Sequence, residues 1–324
     1  MARYVERADH LARFIDVTRE FVLDVPSARS SQWEPLISVT GDGALFAERY
    51  DEASAENVIR FLTVDGSYPN SMVSSINAAR ENARSVREVI ASEMWEQLND
   101  FYQWFNREIR VGMLLRSPSD FYRMVMQQCM LFHGVSDETM SRDLGWHFLN
   151  LGRQLERSDK ISRLLDVKYF TLLPNVRDVN SPIDDLQWSS LLRSVSGFEM
   201  YRKRYQEIDA QHVVDFLVLD RKFPRSIQYC LFEAEKSLHA ITGCPIGSFG
   251  CLPEQLMGRL CADLTYTGVD SIIGNGLHEF IDDLQVRLNQ IGDAIFERFF
   301  AIPQPVDEPA DDDEVQSVSM QSQT

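Results

Sequence analysis

Two segments of the chain carry the same pattern of arginine and glutamate, residue types that can bind anions or transfer protons. Residues 1–17 and 151–167 align at an offset of 150, and seven positions are identical. The identical positions include Arg3, Glu6 and Arg7 with Arg153, Glu156 and Arg157. A guanidinium binds a carboxylate or phosphate through parallel hydrogen bonds, and a glutamate whose pKa is raised acts as a general base. The pattern predicts an anion site, or a catalytic site with Glu6 or Glu156 as the base.

The same spacing also permits a less specific interpretation. Glu6 and His10 are four residues apart, as are Asp9 and Arg13, so each pair can meet on one helix face. If that face were solvated, each pair would contribute only about 0.2–1 kcal/mol. However, six of the seven identical positions are polar or charged, whereas the apolar positions exchange freely. Because apolar cores tolerate such exchange and ion pairs do not, we predict that the charged faces meet at a junction.

A second polar concentration lies in residues 69–88. Periodicity predicts a helix over 70–90 on which Ser74, Asn77, Arg80, Glu81 and Arg84 can share one face. The less specific interpretation is that this polar run is simply the solvated face of a surface helix.

The repeat continues downstream at an offset of 155. QWEPLI at 32–37 matches QWSSLL at 187–192, and FLTVDGSYPNS at 61–71 matches FLVLDRKFPRS at 216–226. Repeated units generally pack on each other because neither buries its apolar face alone. We therefore predict one domain over 1–301 with a shared core, built of pseudo-symmetric repeats at about 1–140 and 141–301.

Apolar residues recur at helical spacing through most of the chain, and strand-like alternation is rare and short. The pattern predicts an all-α, internally duplicated helical bundle. Single helices are predicted over 32–50 and 185–206. Residues 302–324, rich in Asp and Glu among Pro, Ser and Gln, are predicted to form a disordered acidic tail.

Composition excludes several classes of protein. A formal net charge of −17 argues against nucleic acid as a partner, because such binding depends on lysine and arginine at phosphates. No long uncharged stretch predicts a membrane span, and five cysteines without a signal peptide predict a cytoplasmic protein with reduced thiols. Phosphate-binding and nucleophile motifs are absent from the sequence, and histidine and cysteine spacings match no metal motif. We predict no cofactor and no metal.

Three separated motifs resemble the bacterial alpha-E family, an all-helical family of unknown function. They are MARYVERADHLAR at the start, the segment at 69–99 and the segment at 134–167. The resemblance spans roughly residues 1–300 and implies an additional short stretch ahead of the first helix. By motif match it carries over the residues Arg3, Glu6, Arg7, Arg80, Asn82, Arg153, Glu156 and Arg157.

The resemblance also implies partners, because genes of this family neighbour an ATP-grasp amidoligase and often a transglutaminase-like protein. The leading hypothesis is an accessory or substrate-binding component of such an amidoligase system, with the arginines holding an acidic peptide or acyl phosphate. One alternative is an enzyme acting on a peptide or amide, with Glu6 or Glu156 as general base. A second alternative is a structural scaffold without a ligand.

Overall fold

The computed structural model describes residues 1–24, 33–171 and 182–301, and none of these residues is in a β-strand. This confirms the all-α class. Within the described ranges, the first half contains eight helices, α1 to α8, in this order: Ala2–Asp24, Glu34–Thr40, Gly43–Ala47, Ala55–Thr63, Met72–Ser85, Ser92–Arg110, Met113–Arg116 and Pro118–Thr139.

The second half contains helices α9 to α16, with a π-helical turn at Asp215–Leu219 after the fourth. Their bounds are Leu144–Thr171, Pro182–Ser194, Phe198–Arg204, Ala210–Val214, Ile227–Thr242, Leu252–Tyr266, Val269–Asn275 and Leu277–Phe299. The duplication itself stays a prediction from the sequence.

Matching N-caps start α5 and α13. Ser71 accepts a hydrogen bond from the backbone N–H of Ser74, and Ser226 accepts one from Tyr229. A serine at this position satisfies a backbone donor that the first turn leaves unpaired. The segments PNS and PRS, which the repeat aligns, therefore place residues 70 and 225 directly ahead of helices that pack on α1 and α9 respectively.

The predictions of single helices over 32–50 and 185–206 were wrong. The first is broken at Gly41, with φ of 75°, and the second at Ser196, with φ of 53°. Both residues have a left-handed backbone conformation, which ends a helix. This conformation is less favourable in free energy for a serine than for a glycine. The serine is held by Arg13, whose Nη1 donates to its hydroxyl oxygen.

The two long helices α1 and α9 form the centre of the molecule and pack against each other. Helix α1 also packs on α5 and α8 of the first half, and α9 on α13 and α16 of the second. The short helices cross between the halves, because α2 packs on α9 and α10 packs on α1. This exchange joins the halves into one body.

The buried apolar side chains do not form the single shared core that we predicted. Among the described residues, one large cluster is drawn from residues 2–149 and another from 151–295. Across the junction, Phe14 packs on Leu164 as a separate small contact. The reason for the division is that the facing sides of α1 and α9 are charged, so a polar layer separates the two cores.

The predicted acidic tail at 302–324 lies outside the described residues. Within the described part of the chain, no helix combines the length and the apolar character needed to cross a bilayer.

Candidate functional site: a buried arginine–glutamate cluster

The charged face of α1 is buried rather than solvated. Glu6 is 0% exposed, Asp9 1% and Arg13 3%, while Val5 and Ala8 on the opposite face pack into the first core. On α9, Glu156 is likewise buried. The interpretation as a solvated ladder was therefore wrong, since these side chains are enclosed between the halves. We call this set of contacts the junction cluster.

Glu6 is the most heavily bonded residue of the junction cluster. Arg157 donates to it through two nitrogens, from Nε to Oε1 at 2.6 Å and from Nη2 to Oε2 at 2.8 Å. The ring nitrogen Nε2 of His10 lies 3.0 Å from Oε1, and that of His133 lies 3.1 Å from Oε2. Arg225 adds a longer contact of 3.4 Å from Nη1 to Oε1. Both carboxylate oxygens are thus fully engaged.

Glu156 makes the reciprocal contact. Arg7 donates from Nε to Oε1 at 2.7 Å and from Nη2 to Oε2 at 3.1 Å. Arg3 adds a bond of 3.1 Å from Nε, and Lys160 lies 3.7 Å away. Each central helix therefore offers a glutamate to the other helix's arginine, and two bidentate pairs cross the junction in opposite directions. Such paired bonds fix geometry as well as adding energy.

Asp9 extends the junction cluster to α13. Arg13 donates from Nε to its Oδ2 at 2.8 Å, and Arg225 donates from Nη2 to the same oxygen at 2.8 Å. On α9, Arg163 donates to Asp159 at 2.9 Å. On each central helix, an arginine therefore donates a hydrogen bond to the aspartate four residues before it.

Cations outnumber carboxylates in this cluster. The carboxylates are Glu6, Asp9, Glu156 and Asp159, and the cations bonded to them are Arg3, Arg7, Arg13, Arg157, Lys160, Arg163 and Arg225. Among the described residues that make these contacts, seven cations against four carboxylates leave an excess of three positive charges. This local excess lies within a chain whose formal net charge is −17.

The arginines keep the glutamates ionised. Burial by itself raises the pKa of Glu6, but Arg157, Arg225 and the two histidine hydrogen bonds outweigh it and hold that pKa well below its usual value. For Glu156, burial is likewise outweighed by Lys160, Arg7 and Arg3, and the pKa falls to about 2. The general-base hypothesis needs a glutamate with a raised pKa. The pKa values of Glu6 and Glu156 are instead lowered.

A small cleft opens beside the junction cluster. Its lining includes Arg7, His10, Tyr68, Asn70 and Lys160, and its volume is about 20 Å³. A cavity must offer about 10–15 Å³ of free volume to hold a single water molecule. The cleft has room for a water molecule and is too small for a peptide.

The remaining predicted site residues have other contacts. Arg153 is buried and donates from Nη2 to Asn150 at 2.7 Å, and its Nη1 lies 3.4 Å from Asp137 of α8. Arg80 donates to Asn99 of α6 at 3.0 Å, and its guanidinium lies over the rings of Trp95 and Tyr102.

Arg80 therefore serves the contact between α5 and α6. Asn82 is exposed on α5. The structure brings Arg3, Glu6, Arg7, Glu156 and Arg157 together, and it places Arg153, Arg80 and Asn82 in other surroundings.

Sequence reasoning missed Arg225 and His133 as members of the cluster. Arg225 aligns with Asn70 in the repeat, and both follow a proline that precedes the N-cap of a helix. Asn70 accepts a hydrogen bond from Nη1 of Arg7, so both aligned positions contact the cluster. A polar residue at this position in both copies was the available signal for Arg225, whereas nothing in the sequence distinguished His133.

We expect the stability of the protein to fall as the pH is lowered below about 6.5. Burial lowers the pKa of His10 and of His133 from the ordinary 6.5, against the pull of Glu6. Below that pH the unfolded chain binds protons that the folded one does not, so the free energy of unfolding decreases. The glutamates act in the same direction between pH 4.5 and about 2, because their pKa values are also lowered on folding.

Urea unfolding at a series of pH values measures this slope. For Glu156 alone, a pKa lowered from 4.5 to about 2 corresponds to roughly 3 kcal/mol. The variant Glu156→Gln should lose that part of the slope below pH 4.5. A free energy of unfolding that stays constant from pH 7 to pH 3 would contradict the expectation.

Fold and site together define a class of protein: an all-helical domain in which two buried Glu-Arg dipeptides pair across the central helices. The chain belongs to the Alpha-E family, described as a predicted alpha-helical domain with a conserved ER motif, whose sequence model matches residues 1–300. The chain has four Glu-Arg dipeptides. Those at 48–49 and 297–298 are exposed, and those at 6–7 and 156–157 form the reciprocal pairs.

Similar proteins occur in mycobacteria. Uncharacterized protein Mb2597 of Mycobacterium bovis and Uncharacterized protein Rv2567 of Mycobacterium tuberculosis are each 22% identical to this chain over 329 aligned positions. The alignment covers 94% of this chain and 36% of each relative. The chain therefore spans little more than a third of these relatives. No solved structure shows significant similarity to the chain.

Proposed function

We propose that this protein is a non-catalytic, cytoplasmic component of a bacterial ATP-grasp amidoligase system, and that the junction cluster holds its halves in one arrangement. The observation that carries the non-catalytic role is that arginines of the opposite central helix hydrogen-bond both carboxylate oxygens of Glu6 and of Glu156. A carboxylate that is ionised, enclosed and fully hydrogen-bonded has no capacity left to take a proton from a substrate.

The amidoligase partner is supported by family membership and by the length of the relatives. Nearly two thirds of each mycobacterial relative lies outside the region that matches this chain. A domain that occurs within a longer chain is suited to act beside another domain. The cytoplasmic location is supported by the five cysteines, all of which are free thiols. A transglutaminase-like protein is a further proposed partner.

Binding of an acidic substrate is a second candidate function, favoured by the excess of three positive charges in the junction cluster. Arg3, whose side chain is 62% exposed, is the cation of the cluster best placed to meet an anion from solvent. In this candidate, an acidic peptide or acyl phosphate would approach Arg3 at the edge of the junction, while Arg7 and Arg157 remain bonded to the glutamates.

Reconstitution tests the proposal. The full chain is mixed with the ATP-grasp amidoligase encoded in the same genome, and complex formation is followed by size-exclusion chromatography at low salt. Amidoligase turnover is measured as ADP release with an acidic peptide substrate. We expect co-elution and a change in turnover when this protein is added, and no turnover by this protein alone.

The variant Arg3→Ala separates the two candidate functions, because its exposed side chain is the least important of the cluster for folding. Loss of the turnover effect with retained co-elution favours substrate binding at Arg3. Retention of both favours a purely accessory role. Absence of both co-elution and any effect on turnover by the unaltered protein would contradict the proposal.

A further inference from the structure

The loop between α13 and α14 has an unusual composition. Its sequence from 243 to 251, GCPIGSFGC, is rich in glycine and cysteine, and the sequence alignment gives it no counterpart in the first half. Gly243 and Gly247 have φ values of 76° and 88°. Residues with a side chain rarely adopt these backbone angles, so the glycines allow the chain to turn back over the end of α13.

Three side chains of ligand type meet under this loop. They are His239 near the end of α13, Cys244 in the loop and Glu254 in the first turn of α14. A ring nitrogen, the Sγ atom and a carboxylate oxygen all lie within 4.8 Å of one another. Bonds from zinc to nitrogen, oxygen and sulfur are about 2.0–2.3 Å long, so an ion shared by the three atoms would hold them closer together than this upper limit.

The histidine is held in a fixed orientation. His239 is 5% exposed, and its Nδ1 lies 2.9 Å from the backbone carbonyl oxygen of Cys244. A neutral imidazole that donates from Nδ1 to a carbonyl keeps a lone pair on its other nitrogen. Backbone carbonyls orient the histidines of many metal sites in this way.

Glu254 supplies the observation that points to a cation. It is 2% exposed, and its Oε2 accepts hydrogen bonds from the backbone N–H of Gly250 at 2.6 Å and of Cys251 at 3.1 Å. Its other oxygen, Oε1, is buried and makes no hydrogen bond with any described residue. Burial of an unpaired carboxylate oxygen is costly. A bound cation would supply the missing partner.

We propose that His239, Cys244 and Glu254 bind a zinc ion. The mixture of thiolate, imidazole and carboxylate suits this borderline-soft ion, whereas magnesium and calcium prefer oxygen ligands. Three protein ligands leave one tetrahedral position for water or for a group from a partner. The ion joins the end of α13 to the start of α14 and closes the loop between them.

A second group of ligand-type residues does not carry the same inference. Asp166, His278 and Asp282 also lie within 4.8 Å of one another, but none of them is buried. Hydrogen bonds already join His278 to Asp166 at 2.7 Å. This more accessible group provides a control for the site at the loop between α13 and α14.

Metal titration of the full chain tests the proposal. Protein freed of metal with a chelator, and kept reduced, is titrated with zinc ions in competition with a chromogenic chelator. We expect one zinc per chain. The variants Cys244→Ser and Glu254→Gln should weaken binding by at least about 10-fold, because even residues that only support a ligand change metal affinity by about 10–100-fold.

Cobalt substitution provides a readout that does not depend on affinity. Cobalt bound to the unaltered protein should show the absorption band of a thiolate-to-metal charge transfer, and this band should be absent in Cys244→Ser. Cys244 is half-buried in a loop, so this variant is expected to fold. Circular dichroism checks that the helical content is retained.

The variant His278→Ala is the control and should bind zinc as tightly as the unaltered protein. Three outcomes would overturn the proposal: no zinc bound at one per chain, binding unchanged in Cys244→Ser, or binding lost in His278→Ala.

Discussion

Replacing Glu6 with glutamine is expected to destabilise the folded protein by about 3–5 kcal/mol. The side chain is 0% exposed and is the shared acceptor for Arg157 and Arg225. Removing its charge leaves the enclosed Arg157 guanidinium without its counter-ion and leaves Arg225 with Asp9 as its counter-ion, and removing one partner of a buried ion pair costs far more than the net value of the pair. Urea unfolding of the full chain at pH 7 measures the change.

Two further variants make the result specific. Arg157→Gln should cost less than Glu6→Gln, because Glu6 would keep its contacts with Arg225, His10 and His133. Glu81→Gln should have no measurable effect, because that residue pairs with Arg80 and Arg84 at the surface. Equal costs for Glu6→Gln and Glu81→Gln would show that the junction cluster contributes nothing to stability.

Replacing Phe61 with alanine is expected to cost about 3–5 kcal/mol for a different reason, the cavity left in the first core. Phe61 is 0% exposed, and its ring centroid lies 3.9 Å from that of Tyr68 and 5.2 Å from that of Phe46. The free energy of unfolding from urea titration measures the loss. Most natural domains have only about 5–15 kcal/mol in total, so the variant should be clearly less stable.

The same variant should also loosen one support of the junction cluster. Tyr68 donates to Asp42 at 2.5 Å, Asn70 donates to Asp42 at 3.1 Å, and Asn70 accepts from Arg7. Movement of the Tyr68 ring into the cavity would disturb this chain of bonds. Hydrogen exchange in the first turns of α1 should therefore increase in Phe61→Ala.

Phe296→Ala is the control for this experiment, because that side chain is 57% exposed and its removal leaves no internal cavity. We expect its stability to stay within about 0.5 kcal/mol of the unaltered protein. If Phe61→Ala were as mild as Phe296→Ala, the first core would not be as tightly packed as the structure indicates.

The junction cluster suggests why a family would retain a Glu-Arg dipeptide. A buried ion pair is weak evidence for stability, because desolvation offsets much of the attraction between the charges. Its geometric demands are strong, since two bidentate contacts must form at once in opposite directions. Glu6 with Arg157 and Arg7 with Glu156 can both form only when α1 and α9 lie in one register. We propose that the pairs specify how the halves dock.

The helices were predictable where the local pattern was strong. The predicted helix over 278–300 corresponds closely to α16, Leu277–Phe299. The predictions of single helices over 32–50 and 185–206 were wrong because one residue with a left-handed backbone ends each helix. The apolar spacing on both sides of that residue remains helical. In 185–206 the left-handed residue is Ser196 rather than the adjacent Gly197, and the serine is held by Arg13 of a helix 183 residues away in the chain.

The sequence by itself determined that this protein is helical, that it belongs with the alpha-E proteins, and that two of its segments carry the same spacing of arginine and glutamate. These conclusions rest on periodicity and residue identity, which are local properties. Only the tertiary structure decided what the charges do, because the pKa and the hydrogen bonds of Glu6 depend on Arg157, Arg225 and His133. Those residues are distant in the chain, and only the packing of α1 against α8 and α9, with Arg225 reaching in from the segment ahead of α13, brings them to the same carboxylate.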